Sequence, residues 1–141
     1  MARRLIGAGH RVLAFDRDPR ALGQLAAAGV TAAAHVREVA DTAAIICTSL
    51  PTPAALREVA LGADGLLHGK AVELLIDLST VGSRATQEVA AALAANSIET
   101  VDAPVSGGAA GARAGTLTVM AAGRPAALMQ TRALLEAFGK V

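Results

Sequence analysis

Apolar and polar positions along this chain fall into blocks whose period keeps changing. Short apolar runs at Val12–Phe15, Val30–Ala33, Ala43–Thr48, Leu74–Asp77, Ile98–Val101 and Thr116–Ala121 read as strands. Between them, apolar residues recur three and four apart, as amphipathic helices require. Residues 1–8 read as the back half of a helix closed by Gly9. Asp18-Pro19 opens the next helix with a capping side chain and a proline at the first position; Leu22, Leu25, Ala26 and Gly29 share its apolar face. His35–Asp41 predicts a short helical turn and Pro51–Ala60 a helix, with Gly62, Gly65 and Gly69 in the loop behind it. Ser83–Ala95 is the clearest helix, striped by Ala85, Val89, Ala92 and Leu93. A glycine-rich turn is expected at 107–115 and a last helix at Pro125–Phe138.

Ala43–Thr48 is so apolar that it predicts a strand buried on both faces. Strand–helix alternation of this period calls for right-handed crossovers. The fold class is therefore α/β: a mostly parallel sheet with helices on both faces, one domain over residues 1–141. Ligands of such sheets bind beyond the carboxyl ends of the strands. Those ends carry Asp16, Ser49-Leu50-Pro51, Ser79-Thr80 and Pro104-Val105-Ser106-Gly107-Gly108. An acid, a hydroxyl pair and a glycine-rich corner are expected at one rim.

Composition narrows the choice further. The chain is 53% hydrophobic but only 1% aromatic, so its core must be built from Ala, Val, Leu and Ile. A net charge of +1 with no block of like charges provides no electrostatic footprint for nucleic acid or a membrane surface. No apolar run approaches the length of a membrane helix. Met1-Ala2-Arg3-Arg4 is followed by glycines and charges, which breaks any signal-peptide pattern. Cys47, alone and inside an apolar run, reads as a small buried hydrophobe; one cysteine suits a reducing compartment, the cytoplasm. His10, His35 and His68 are too scattered for metal ligation. Neither Ser79 nor Ser106 sits in a nucleophile elbow, and Arg113 reads as a solvated residue.

Two segments carry candidate chemistry. Asp16 closes a strand at the position where dinucleotide domains place an acid on the adenosine ribose, which favours NAD over NADP. Asp16 and Asp18 also fit ordinary turn residues, and Arg17 could accept a 2′-phosphate. The glycine-rich turn that should stand about twenty residues upstream is absent. Gly7 and Gly9 lie at a helix end, where glycine is a cap. Ser106, Gly107 and Gly108 would present a hydroxyl and bare backbone N–H groups to a carboxylate, though composition alone equally allows a plain turn.

The string Asp102-Ala103-Pro104-Val105-Ser106-Gly107-Gly108, followed by Gly111-Ala112 and Gly115-Thr116-Leu117, closely resembles the signature of the β-hydroxyacid dehydrogenases of the 3-hydroxyisobutyrate dehydrogenase type. Asp77-Leu78-Ser79-Thr80 resembles that family's strand-end Asp-x-Ser-Thr, and Leu50-Pro51 its Leu-Pro loop. Met1–Leu5, Gly9-His10 and Val12 resemble the stretch after its glycine-rich turn. Ala103-Pro104-Val105 resembles the smaller-substrate branch rather than 6-phosphogluconate dehydrogenases.

The resemblance implies a Rossmann domain whose Asp16, with Arg17 beside it, holds the adenosine ribose of NAD, or alternatively NADP. Leu50 and Pro51 would line the cofactor cleft and Thr80 would approach the nicotinamide. Ser106, Gly107 and Gly108 would bind the carboxylate of a small β-hydroxyacid. The family's catalytic lysine lies on an all-α second domain that also builds its oligomer. On this reading no catalytic residue falls within 1–141, and Lys140 is a surface residue. The first strand and its βα turn are expected before Met1 and the helical domain after Val141, through a start placed too late, a gene fragment or an excised piece. The chain alone would then be inactive, bind dinucleotide weakly, and be aggregation-prone or borrow a strand. The alternative is a non-catalytic NAD(P)-binding or interaction module derived from the same family.

Overall fold

The computed structural model describes all of residues 1–141. Helix α1 (Ala2–Gly7) ends as expected, with Gly9 at φ 88° and the His10 N–H returning to the Leu5 carbonyl at 3.0 Å. A side chain in that left-handed conformation would be strained, which is why glycine closes the helix. Strands β1 (Leu13–Ala14) and β2 (Thr31–Ala32) pair in parallel across helix α2 (Pro19–Ala26). Asp18 caps α2 by accepting the Arg20 N–H at 2.9 Å. Helix α3 (Val36–Thr42) is capped by His35, whose Nδ1 accepts the Glu38 N–H at 3.1 Å. A scattered histidine thus has a local structural task.

The centre is a parallel sheet ordered β3 (Ile45–Thr48), β4 (Leu74–Asp77), β5 (Glu99–Asp102). Helix α4 (Pro53–Leu61), a 3₁₀ turn at Leu66–His68 and helix α5 (Ser83–Ala94) make the crossovers. Every residue of β4 is buried. Leu75 and Ile46 pack with Leu56, Ala85, Val89 and Leu93 on one side; Leu74, Ile76 and Val101 pack with Leu117, Leu135 and Phe138 on the other. Each such large side chain contributes about 1.5–3 kcal/mol on burial. Thr86 joins Ala85, Val89 and Leu93 on the buried stripe of α5, while Ala92 is only half-buried.

Past β5 the chain builds a small mixed sheet. Strand β6 (Val105–Ser106) runs antiparallel to β7 (Leu117–Val119), which lies parallel to β8 (Gly139–Lys140). Helix α6 (Gly108–Ala114) and helix α7 (Pro125–Glu136) connect them. An antiparallel bridge from Asp102 to Ala122 ties this unit to β5.

Three expectations need correction. The glycine-rich turn expected at 107–115 folds mostly as α6, because Ala109, Ala110, Ala112 and Ala114 outweigh the glycines in helix preference. The α/β class with mostly parallel pairing holds, but the strands form three sheets rather than one continuous sheet, since no ladder joins β1 to β3 or β5 to β6. And β3 is not buried on both faces: Ile45 and Cys47 stay half-buried because β3 pairs only with β4. No helix is long and apolar enough to cross a membrane.

Candidate functional site

The carboxyl ends of the central strands finish level with one another. Thr48, Asp77 and Asp102 stand in direct register across β3, β4 and β5. The Leu78 N–H donates to the Thr48 carbonyl and the Ala103 N–H to the Asp77 carbonyl, each at 2.8 Å. The Ser49–Pro51, Ser79-Thr80 and Pro104–Gly108 segments therefore leave the sheet at one rim.

Below that rim is a polar network. Asp77, fully buried, accepts the Thr48 hydroxyl at 2.9 Å and the Ser79 N–H at 3.1 Å, both on Oδ1. The buried Ser79 hydroxyl accepts the Leu50 N–H at 2.9 Å. Leu50 is consequently half-buried while Pro51 and Thr80 face solvent. Thr52 then caps α4 by accepting the Ala55 N–H at 3.1 Å. Asp77 Oδ2 and Thr100 Oγ1 are buried without a partner. Burial, and next the charge of Asp77, hold the Asp102 carboxyl above the usual aspartate range. Asp77 entered the sequence reading only as the first residue of the Asp77–Thr80 motif, with no role of its own, and Thr48 was not singled out. Their signal was an acid at the last position of a strand otherwise made of Leu and Ile.

Ser106 ends β6, exposed. Gly107 and Gly108 follow with φ of 128° and 62°, conformations that side chains rarely adopt. A β-carbon on Gly107 would also stand 3.1 Å from Leu117 Cδ2. The corner is thus glycine by necessity, and it starts α6 without any side-chain cap. A cavity of about 250 Å³ brings this corner to the strand ends: Gly108, Ala112, Val105 and Leu117 line it together with Ser49 and Met1. A second hollow of about 510 Å³ lies between the starts of α4 and α5, beside Arg57, Ser83, Arg84 and Glu88.

Asp16 shares no hydrogen bond with this network. It is exposed after β1, in the separate two-stranded sheet, and its Oδ1 accepts the Asp18 N–H at 2.8 Å. That is the turn role expected of it, and it leaves Oδ2 without a hydrogen bond. Arg17 is exposed and forms no ion pair. Lys140 is exposed on β8 and Arg113 on α6. No cluster of three His, Cys, Asp or Glu side chains could hold a metal. Chemically, the rim can bind and orient an anionic or hydroxylated ligand through backbone N–H groups and hydroxyls.

Comparison with known proteins identifies the family. Residues 1–141 match the family described as the NAD binding domain of 6-phosphogluconate dehydrogenase. The chain is 39% identical to a 3-hydroxyisobutyrate dehydrogenase of Pseudomonas aeruginosa, over 99% of this chain and 47% of that protein. It is 38% identical to an NAD-dependent L-serine dehydrogenase of the same organism, again over 99% and 47%. It superimposes on Mycobacterium tuberculosis 3-hydroxyisobutyrate dehydrogenase, solved with L-serine, with a TM-score of 0.91 and 36% identity, covering 98% of this chain and 47% of that one. The chain spans about half the length of these relatives. Whole-length agreement in sequence and in backbone places it in one family: the chain belongs to the NAD-binding domain family of 6-phosphogluconate dehydrogenase, among proteins of the 3-hydroxyisobutyrate dehydrogenase kind.

Proposed function

We propose that residues 1–141 are the NAD(P)-binding half of an oxidoreductase that moves a hydride between a nicotinamide cofactor and a small β-hydroxyacid such as 3-hydroxyisobutyrate. The observation that carries this reading is the convergence at one rim of the Leu50-Pro51 loop, the Ser79-Thr80 loop and the Ser106-Gly107-Gly108 corner, with Ser49 and Gly108 lining one cavity. The free Oδ2 of exposed Asp16 suits a ribose diol, and the side-chain-free corner suits close approach of a ligand.

In this reading Asp16 accepts hydrogen bonds from the adenosine ribose and its charge opposes a 2′-phosphate, so NAD is preferred. Leu50 and Pro51 cover the cofactor and Thr80 lies toward its nicotinamide end. Bound there, the nicotinamide supplies the hydride chemistry. Ser106 and the N–H groups of Gly107 and Gly108 hold the substrate carboxylate, which orients the hydroxyl-bearing carbon. The resemblance assigns the hydroxyl proton to a lysine outside residues 1–141, in a helical domain that would also join the subunits.

The test is to titrate the chain with NADH and NADPH, following the cofactor's own fluorescence. The protein expressed from its whole reading frame is then assayed with 3-hydroxyisobutyrate, L-serine and related hydroxyacids. Saturable NADH binding and NAD-linked turnover support the proposal. Absence of both in a folded protein refutes it.

A further inference from the structure

The residues expected to touch the cofactor all lie on loops, and loops hold a geometry only when something pins them. Two of these loops share a pin. The Leu50-Pro51 loop follows β3 and the Ser79-Thr80 loop follows β4, with no ladder bond between them beyond Leu78 to Thr48. What joins them is a relay of side chains. The Leu50 N–H donates to Ser79 Oγ at 2.9 Å, the Ser79 N–H donates to Asp77 Oδ1 at 3.1 Å, and Thr48 Oγ1 donates to the same Oδ1 at 2.9 Å.

The relay is built in a place where a carboxylate is expensive. Asp77 is fully buried, Ser79 and Thr48 are 5% and 6% exposed, and the Asp77 side chain has no cationic partner. Its Oδ2 has no hydrogen bond at all, and another carboxylic side chain, Asp102, stands opposite it in the β4–β5 register. A group retained at such cost for packing alone would be better served by Leu or Asn. The Oδ1 atom shows what the carboxyl does: it fixes the first residue of one loop and the last side chain of the neighbouring strand.

We propose that Asp77 is a positioning residue that, acting through Ser79, sets the separation of the Leu50-Pro51 and Ser79-Thr80 loops for the dinucleotide. The inference rests on the cofactor reading above only for the identity of the ligand. The latch itself is a property of the chain. One carboxylate oxygen accepts two donors, so it orders Ser79, and Ser79 in turn holds Leu50. Asparagine at 77 retains an acceptor in the same place, whereas alanine does not.

The experiment compares the chain with its Asp77→Asn, Asp77→Ala and Ser79→Ala variants. Amide hydrogen exchange is read on the peptide containing Leu50, and NADH affinity is read in parallel by cofactor fluorescence. Ser79→Ala removes only a hydroxyl, so it tests the latch even if Asp77→Ala fails to fold. The expected result is roughly 10-fold faster exchange at Leu50 in Ser79→Ala and in folded Asp77→Ala, the loss of about one hydrogen bond. NADH binding should weaken by a similar factor, and Asp77→Asn should stay within about 3-fold of the parent on both readouts. Unchanged exchange at Leu50 in Ser79→Ala overturns the latch. So does an Asp77→Asn variant as impaired as Asp77→Ala. Exchange that responds while neither the chain nor the protein expressed from its whole reading frame binds NADH leaves the latch standing and refutes the cofactor reading.

Discussion

Asp102 lies directly across the β4–β5 ladder from Asp77, so two carboxyl groups share the end of the sheet on the same face. Thr48 and Ser79 both donate to Oδ1 of Asp77, while Asp102 receives no side-chain hydrogen bond and is held above its ordinary range, by burial first and by Asp77 second. Of the elements packed against β5, α5 brings Arg84 and Glu88, with Glu88 engaged by Arg57, and the segment before α7 brings Arg124, engaged by Glu99. A carboxyl whose folded pKa is raised favours folding fully below its unfolded value near 3.8, and that advantage is lost as pH rises through the folded value. Ionised Asp102 therefore opposes folding at neutral pH. Asp102→Asn should raise the thermal midpoint at pH 7 and give no gain at pH 3. An equal gain at both values would sink the electrostatic account.

The strands, helices and rim were legible in the alternation of periods because each apolar block was separated from the next by a polar or glycine stretch. The caps of α2 and α1 were legible too, since Asp18-Pro19 and Gly9 act locally. What could not be read was anything set by neighbours in space. Two-residue strands such as β6 and β8 have no periodicity to detect and exist only through β7. The half-exposure of Ile45 and Cys47 depends on β3 lacking a second partner. In the proposed site, Ser106, Gly107, Gly108 and Thr80 were proposed by resemblance, whereas the Asp77 relay depends on register and burial.

Gly139 offers a stability test independent of function. It pairs with Leu117 in the β7–β8 ladder, and a β-carbon built on it would overlap the Leu117 carbonyl oxygen. The Leu117 N–H also bonds the Phe138 carbonyl at 3.1 Å, so neither backbone can yield cheaply. Gly139→Ala should destabilise the chain by about 2–4 kcal/mol, as overpacking against a fixed backbone does. Urea unfolding measures it, and a change under about 0.5 kcal/mol would contradict the packing.

Cys47 lines the same strand edge that leaves Ile45 half-exposed, yet the apolar surroundings of its sulfur push the thiol up to about 12. The thiolate is the reactive form, so partial access alone will not make this cysteine reactive. In the native chain at pH 8 a disulfide reagent should modify it at least about 10-fold more slowly than in denaturant. Equal rates would show the thiol to be solvated.

Asp16 carries the cofactor preference in the proposed function. Because Oδ1 is taken by the Asp18 N–H, only Oδ2 is free for the ribose. Asp16→Asn keeps the turn acceptor and removes the charge, so the NADH-over-NADPH preference should narrow by up to ~10-fold, an effect on the order of 1.4 kcal/mol. If the parent already prefers NADPH, exposed Arg17 governs the choice and this assignment of Asp16 fails.

The last prediction concerns the two strand edges that no ladder connects. β1 pairs only with β2, and β3 only with β4. Leu13, Ala14, Ile45 and Cys47 are each half-buried, and Phe15 is 36% exposed just beyond β1. An open edge flanked by apolar side chains is a template for another strand. Each buried backbone group left unpaired costs roughly 1–3 kcal/mol, against about 5–15 kcal/mol for a whole domain, so a few such groups decide whether the chain remains alone. An extended segment laid along either edge would remove that cost, and one reaching both would merge the sheets. Purified residues 1–141 should therefore self-associate as concentration rises. Light scattering across a concentration series should give masses above the 14.1 kDa of a single chain, with a thermal midpoint that climbs with concentration. A cooperative 14.1 kDa monomer at every concentration, binding NADH in the micromolar range, would show that these edges are already satisfied and that the separated sheets suffice for both folding and binding.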